Sequence, residues 1–477
     1  MTREVLDAIF GEDSTGNTPE ERARTSRRTY VRSLDQLAPD SPRATGRRLS
    51  ALEALTAYGY DVLREVEEEG SALLCAGPLA AARAIQTQRE LLRLDLKTVA
   101  NRARLNPEDV QRAEQGGRWP LAHYERIAQA LGIDDRYVSV RSSPPGNTDI
   151  AIRLRTLGDE RPRMTASAVS AVAEAAWVAM TQIRLERALG FSSHLDSFER
   201  SANYGSSGYP AYMHGYYLAK KAREALGLGL GPLDLSLREL CEDRLGIPVI
   251  QTTIGDWIAG LTVEAGNSRA IVLNTAGKNG NVFIRRSTLA HELGHLLFDP
   301  ADRLEHLRVD EYEDLDRDAR DIPDVVEQRA NAFSVEFIAP KQSVIDVFHQ
   351  RGGAPEQGLH AVVESFGLSP TAASYQIWNG LERQLPLAEL KLKKLLSHGE
   401  IAPWEGKEGF AAVGYHPLKD LAMSRTGRFS AVVVRAAQEK IISWDTAASY
   451  LQATRTEVEA VIPSIQEMYP KVFEPST

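Results

Sequence analysis

Between Ser287 and Phe298 the chain reads STLAHELGHLLF, which sets His291, Glu292 and His295 inside an apolar run of helical period. Residues four apart share one helix face. Both imidazoles can therefore reach a single point, while Glu292, on the adjoining edge, reaches a group bound there. Two imidazoles and a carboxylate on an apolar face need a shared partner to offset their burial. The string thus points to a packed α-helix presenting a metal-hydrolase centre.

Zinc suits two imidazoles plus one carboxylate with a fourth position open to water, whose pKa the ion lowers to about 7. Glu292 is then the general base, taking the proton from that water and passing it to a leaving amine. The reaction expected is amide hydrolysis. The third ligand must come from elsewhere, because Ala301 stands where a longer HExxHxxGxxH motif would place another histidine. The segment DVVEQRANAFSVEFIAP offers Glu327, with Ala330 and Asn331 one turn on and on the same helix face. Asp299, four residues beyond His295, is the rival. The expected set is His291, His295 and Glu327.

The rest of the composition bounds the architecture. At 477 residues, with 43% hydrophobic and 25% charged, the chain has material for several cores and about three domains. Cys75 and Cys241 stand far apart with no metal-ligand spacing around them, which disfavours a disulfide framework and a cysteine zinc site. The start has no apolar stretch behind a basic one, and no apolar run approaches the ~18 residues of a membrane span. A cytoplasmic protein with no membrane partner is expected. A formal net charge of −9 makes the whole molecule a poor match for phosphate backbones.

Along the chain, residues 1–48 read as a mobile basic arm and 49–141 as a helical region holding a compact module at 80–135. A linker and a long helix occupy 142–212. The peptidase domain is expected at 213–345, where short β-prone runs precede the helices, and 346–477 reads as a mainly helical, regulatory C-terminal region. IPVIQTTI, RAIVLN and NVFIRRS are the candidate strands. The fold class expected is α+β, predominantly helical.

From about Gly215 to Pro340 the chain resembles the ImmA/IrrE family of metallopeptidases. The pieces that carry the resemblance are GYYLAKKAREALGLG, RAIVLN, STLAHELGHLLF and EQRANAFSVEFIAP, in that order. The resemblance implies a small zincin-like fold in which His291, His295 and Glu327 bind Zn2+ and Glu292 is catalytic. It also implies a protein substrate, a helix-turn-helix repressor cut once to switch on stress-response, mobile-element or defence genes.

The module at 80–135 looks like the helix-turn-helix domain of Xre/Cro-type repressors, with LKTVANRA as first helix and NPEDVQRAEQG as recognition helix. Gln111, Arg112 and Arg118 are its candidate nucleic-acid contacts. Glu108 and Asp109 occupy the end where bases and phosphates would be met, and Leu96 replaces the usual glutamine. Nine Lys and Arg face eight Asp and Glu across the module, which leaves little counterion release to drive DNA binding. Docking of the repressor or formation of a homodimer is favoured over DNA as its task. The alternatives to a repressor-cleaving enzyme are an Xre-type regulator whose peptidase-like domain acts as a sensor, and a toxin–antitoxin component. Control of the enzyme is expected from the N-terminal arm or the C-terminal helices covering the cleft.

Overall fold

The computed structural model describes residues 3–74, 77, 79–116, 119–138, 164–191, 198, 210–256, 258–265, 268–299, 309–311, 324–350, 354–410 and 416–474. The chain forms two compact units, residues 193–410 and a discontinuous unit of 1–192 with 411–477. Its class is α+β and predominantly helical, as expected. No described helix is long and apolar enough to cross a membrane.

The discontinuous unit begins where a mobile arm is expected, and the structure corrects that reading. Helices α1 (Arg3–Phe10) and α2 (Pro19–Thr25) precede strands β1 (Thr29–Arg32), β2 (Gln36–Pro39) and β3 (Arg47–Ser50). With β4 (Ala72–Leu73) these strands form an antiparallel sheet of order β3-β1-β2-β4. Leu6, Ile9, Phe10, Tyr30, Val31, Leu37 and Leu49 are buried. Two of the arginines that suggested solvation, Arg22 and Arg47, are buried too, whereas Arg24, Arg27, Arg28, Arg43 and Arg48 are exposed. Arg22 donates to Asp7 at 2.7 Å and to the Ser14 carbonyl at 2.5 Å. Arg47 pairs with Glu125 at 3.1 Å and with Asp135 at 3.2 Å.

Within the helical region expected at 49–141, two helices come first: α3 (Ala51–Tyr58) and α4 (Tyr60–Glu69). Four short helices follow: α5 (Ala80–Leu91), α6 (Leu96–Ala103), α7 (Pro107–Gln115) and α8 (Leu121–Ala130). Asp95 caps α6 through the Thr98 amide, and Asn106 with Asp109 forms a capping box on α7. Val99, Ala103, Val110, Ala113, Tyr124 and Ile127 close one small core between them. The linker expected at 142–149 lies outside the described residues. Helix α9 (Ala166–Ala188) is alanine-rich and buries Glu174 and Glu186 as well as its apolar side chains.

The unit of residues 193–410 opens with α10 (Ala211–Ala225), and a short helical segment (Leu237–Arg244) follows. Strands β5 (Val249–Thr252), β6 (Ile258–Ala265), β7 (Ser268–Asn274) and β8 (Val309–Glu311) pair in the order β5-β7-β6-β8. β5 and β7 run parallel, and the other pairs are antiparallel. NVFIRRS, read as a third strand, instead begins α11 (Val282–Phe298), because the Asn281 side chain caps the Phe283 amide at 2.9 Å. Helices α12 (Val325–Ile338), α13 (Lys341–Gln350), α14 (Pro355–Phe366), α15 (Pro370–Gly380) and α16 (His398–Glu408) complete the unit.

Leu289, Leu293 and Leu296 of α11 share one core with Ile271, Leu273, Phe333 and Phe337. Two features fix α11 in place. Gly294 lies so close to α12 that an added Cβ would sit 2.7 Å from Phe333 Cδ1. Arg286, wholly buried, binds Glu408 of α16 and the Phe366 carbonyl at the end of α14, its guanidinium 4.6 Å from the Trp404 ring. Such a buried pair costs dearly to break from one side.

The last segment returns to the first unit with α17 (Arg428–Gln438), α18 (Trp444–Tyr450) and α19 (Arg455–Met468). The region 346–477, read as one C-terminal region, therefore divides: helices through α16 belong with the sheet and α11, and residues 416–474 belong with the N-terminal half. Arg425 meets Glu174 at 2.8 Å, Arg428 meets Glu186 at 2.6 Å, and Glu53 accepts from the Thr446 hydroxyl at 2.6 Å.

Candidate metal centre

Helix α11 stacks His291 and His295 one turn apart, and α12 supplies Glu327 from its first turn, which Asp324 caps through the Val326 amide at 2.8 Å. His291 Nε2 and His295 Nε2 lie 3.0 Å apart, and Glu327 Oε2 is 3.2 Å from the first and 3.5 Å from the second. A tetrahedral zinc site with bonds of roughly 2.0–2.1 Å has donor–donor edges of about 3.3 Å. The three donors match that triangle, and among the described residues they form a group able to hold a metal ion.

Asp299 does not join the triangle. It ends α11 and accepts the Nδ1 proton of His295 at 3.0 Å, while Arg329 of α12 donates to its other oxygen. A carboxylate on Nδ1 forces the tautomer whose Nε2 lone pair points at the three-donor centre. The rival ligand thus holds the ligand, and the fit to zinc improves. Burial opposes protonation of His295, but Asp299 and then Glu327 outweigh it and raise its pKa. Glu327 moves the other way: burial would raise it, yet His295 and His291 hold it well below the usual carboxylate range.

Glu292, wholly buried, turns toward β6. The Thr262 hydroxyl donates to Glu292 Oε2 at 2.7 Å. Gly260, at an irregularity in the pairing of β6 with β8, leaves room for the same carboxylate, since a Cβ there would come within 2.8 Å of Oε1. Asn279 secures this stretch by donating to the Ala259 carbonyl at 2.6 Å and accepting from Thr288 of α11 at 3.0 Å. Strand and helix are therefore coupled beside Glu292.

The four residues read from the sequence are brought together. The candidate nucleic-acid contacts belong to the other unit, where Gln111 and Arg112 are exposed on α7 and the Arg112 guanidinium lies 5.3 Å over the Trp119 ring. Arg118 lies outside the described residues, as does most of the acidic stretch between Asp299 and Asp324. Thr262 and Arg329 were not anticipated. An i, i+4 pairing of His295 with Asp299 at a helix end was the available signal for the Asp299 contact; Thr262 has no local signal.

Residues 242–377 match the family model of the IrrE N-terminal-like domain, the peptidase M78 family of metallopeptidases. The match begins just before β5 and ends within α15, so it contains His291, Glu292, His295 and Glu327. It starts later and runs further than the Gly215–Pro340 resemblance, and it does not reach the helical module at 80–135. No curated protein matches the chain.

Proposed function

We propose, from the metallopeptidase match of residues 242–377, that the chain is a zinc-dependent endopeptidase. His291, His295 and Glu327 hold the ion, and Glu292 is the general base. The observation that carries this reading is the triangle of three donors at tetrahedral-edge spacing with Glu292 buried beside it. Zinc, when bound, supplies a Lewis acid for the scissile carbonyl and makes water a nucleophile near neutral pH. Thr262 donates to Glu292 and so favours the ionised carboxylate, the form a base needs. Asp299 and Arg329 keep the His295 lone pair aimed at the centre.

The substrate in this reading is a helix-turn-helix repressor whose single cleavage releases stress-response, mobile-element or defence genes. The family resemblance supports it, and the helical module at 80–135 offers a surface on which a similar module could dock. The test is digestion of purified helix-turn-helix repressors by zinc-loaded protein, with the product masses measured. One cut is expected, absent from Glu292→Gln protein that keeps its zinc, since the amide cannot accept the proton. Equal cleavage by Glu292→Gln would overturn the assignment.

A further inference from the structure

Strand β6 carries the groups that touch Glu292. Successive side chains of a strand alternate between the two faces of its sheet, and Gly260 and Thr262 fall on the face toward α11. The Thr262 hydroxyl reaches Glu292 Oε2, and a Cβ at Gly260 would crowd Oε1. A peptide attacked with Glu292 as the base must lie within one hydrogen bond of that carboxylate, directly or through one water. It must therefore run beside this part of β6.

One flank of β6 is closed. β7 pairs with it without interruption from Gly260↔Leu273 to Ala265↔Ser268, and β5 backs β7. On the other flank lies β8, where Ile258 faces Glu311, Gly260 faces Asp310 and Leu261 faces Val309. Adjacent strands stand about 4.8 Å apart. The backbone of Val309 and Asp310 is thus one strand spacing from the residues that touch Glu292, at the place an extended substrate would take.

β8 holds that place with little backbone. It has three residues, and its ladder on β6 is interrupted at Ala259, whose carbonyl accepts from Asn279 at 2.6 Å. It reaches no further along β6 than Leu261. Among the described residues no strand covers the outer flank of Thr262, Val263, Glu264 and Ala265. An uncovered strand edge is a template for another extended chain. A substrate can pair first with this open half of β6 and continue toward Glu292 only where β8 gives way. β8 itself belongs to the connection between α11 and α12, so both ligand-bearing helices tether it and keep its effective concentration at β6 high.

We propose that β8 is the chain's own stand-in for substrate: it pairs with β6 where the scissile segment of a protein substrate binds, and an extended stretch of substrate enters by strand exchange with Val309–Glu311. The inference rests on the peptidase reading of Glu292. An edge of this kind binds main chain in the extended conformation. It therefore selects a linker or an unfolded stretch of the substrate and refuses a folded helix.

The test locks and releases β8 in the full-length, zinc-loaded protein. Leu261 and Val309 are direct partners in an antiparallel pair, and the Cα separation of such partners, about 4.5–5.5 Å, suits a disulfide. In Leu261→Cys/Val309→Cys protein, oxidation should lower kcat/KM on a purified helix-turn-helix repressor by about tenfold or more relative to the same protein reduced with a phosphine, since only the unlocked fraction is competent. Zinc content and circular dichroism should agree between the two forms. Equal turnover by the reduced form and the mass-verified locked form would overturn the proposal.

A second arm needs no turnover. A synthetic peptide of residues 305–315 with Val309→Cys is offered, under mild oxidation, to Glu292→Gln protein that also carries Leu261→Cys. Peptide mapping should find about tenfold more mixed disulfide at position 261 when the protein's own β8 carries Val309→Pro/Asp310→Pro than when it is native, because the tethered competitor has been removed. Of two adjacent amides in an antiparallel strand one faces the neighbour, so the paired prolines eliminate it whichever it is. Equal capture in both backgrounds would overturn the proposal. Turnover absent even from reduced protein speaks against the peptidase reading alone, and capture then decides on β8.

Discussion

The Thr262 hydroxyl donates to Glu292 Oε2 at 2.7 Å, across the space between a strand and the helix it lies against. Thr262 touches no expected metal ligand, so its contribution should appear in turnover and not in metal content. Thr262→Val should retain zinc and lower kcat about tenfold to a hundredfold with KM nearly constant, the scale of one hydrogen bond to a charged group. Thr262→Ser should restore most of it. A kcat unchanged in the valine variant would remove Thr262 from the catalytic apparatus.

Zinc retention should separate the ligands from their supports. His291→Ala, His295→Ala and Glu327→Ala each break the three-donor triangle and should largely abolish binding. Asp299→Asn should be milder, with affinity down about 10- to 100-fold, because it loosens the orientation of His295 and removes no donor. Competition with a chromophoric chelator ranks the four. If Asp299→Asn equals His295→Ala, Asp299 is itself a ligand.

The raised pKa of His295 gives metal-free protein a characteristic pH dependence. Above the ordinary value of 6.5 the folded unit holds this proton and the unfolded chain does not. The stabilisation is therefore complete below 6.5 and is lost as pH rises through the raised value. Zinc binding needs the neutral imidazole and has the opposite slope. Between about pH 6 and pH 8 the metal-free melting temperature should fall more steeply in wild type than in His295→Gln, and zinc should remove the difference. Parallel curves for the two metal-free proteins would refute the assignment.

Gly294 is required by contact. In Gly294→Ala the new methyl meets the Phe333 ring, itself stacked on Phe337 and edge-on to Phe298. Overpacking of this kind costs about 1–3 kcal/mol. Since α11 and α12 would have to part to relieve it, zinc affinity should fall together with melting temperature. A destabilised variant with unaltered zinc affinity would show that the two helices yield elsewhere.

The full-length protein should show little sequence-specific DNA binding at physiological salt. On α7, Glu108 is exposed at the end that would meet the groove, and Asp109 is engaged in capping. Gel shifts with promoter DNA from its own locus test this. A tight, sequence-selective complex weakened by Arg112→Ala would make the module a DNA reader.

The metal centre was legible because it is written in helical periods: His291 and His295 at i, i+4, and Glu327 opening a second periodic segment. The N-terminal region was not, because its strands have four residues each and its arginines resemble a solvated surface. Arg32 and Arg47 are instead buried against Glu125 and Asp135, more than seventy positions away, and no local pattern announces such pairings. For the same reason the union of Glu53 with Thr446, or of Glu174 with Arg425, could not be read along the chain. Thr262 belongs with these, since only the sheet places it against Glu292.

Because the first unit takes its last helices from beyond residue 410, the order of synthesis is part of its assembly. When the ribosome has completed α16, every described element around His291 and Glu327 has been made, while α9 still lacks the partners of Glu174 and Glu186 that Arg425 and Arg428 will bring. The portion that holds His291 and Glu327 can thus mature on the nascent chain, whereas its companion must wait with a half-finished interior, exposed to holding chaperones until translation is nearly over. A premature stop near residue 410 would leave that interior without its closing helices, and cellular quality control would register the loss before any assay of proteolysis did.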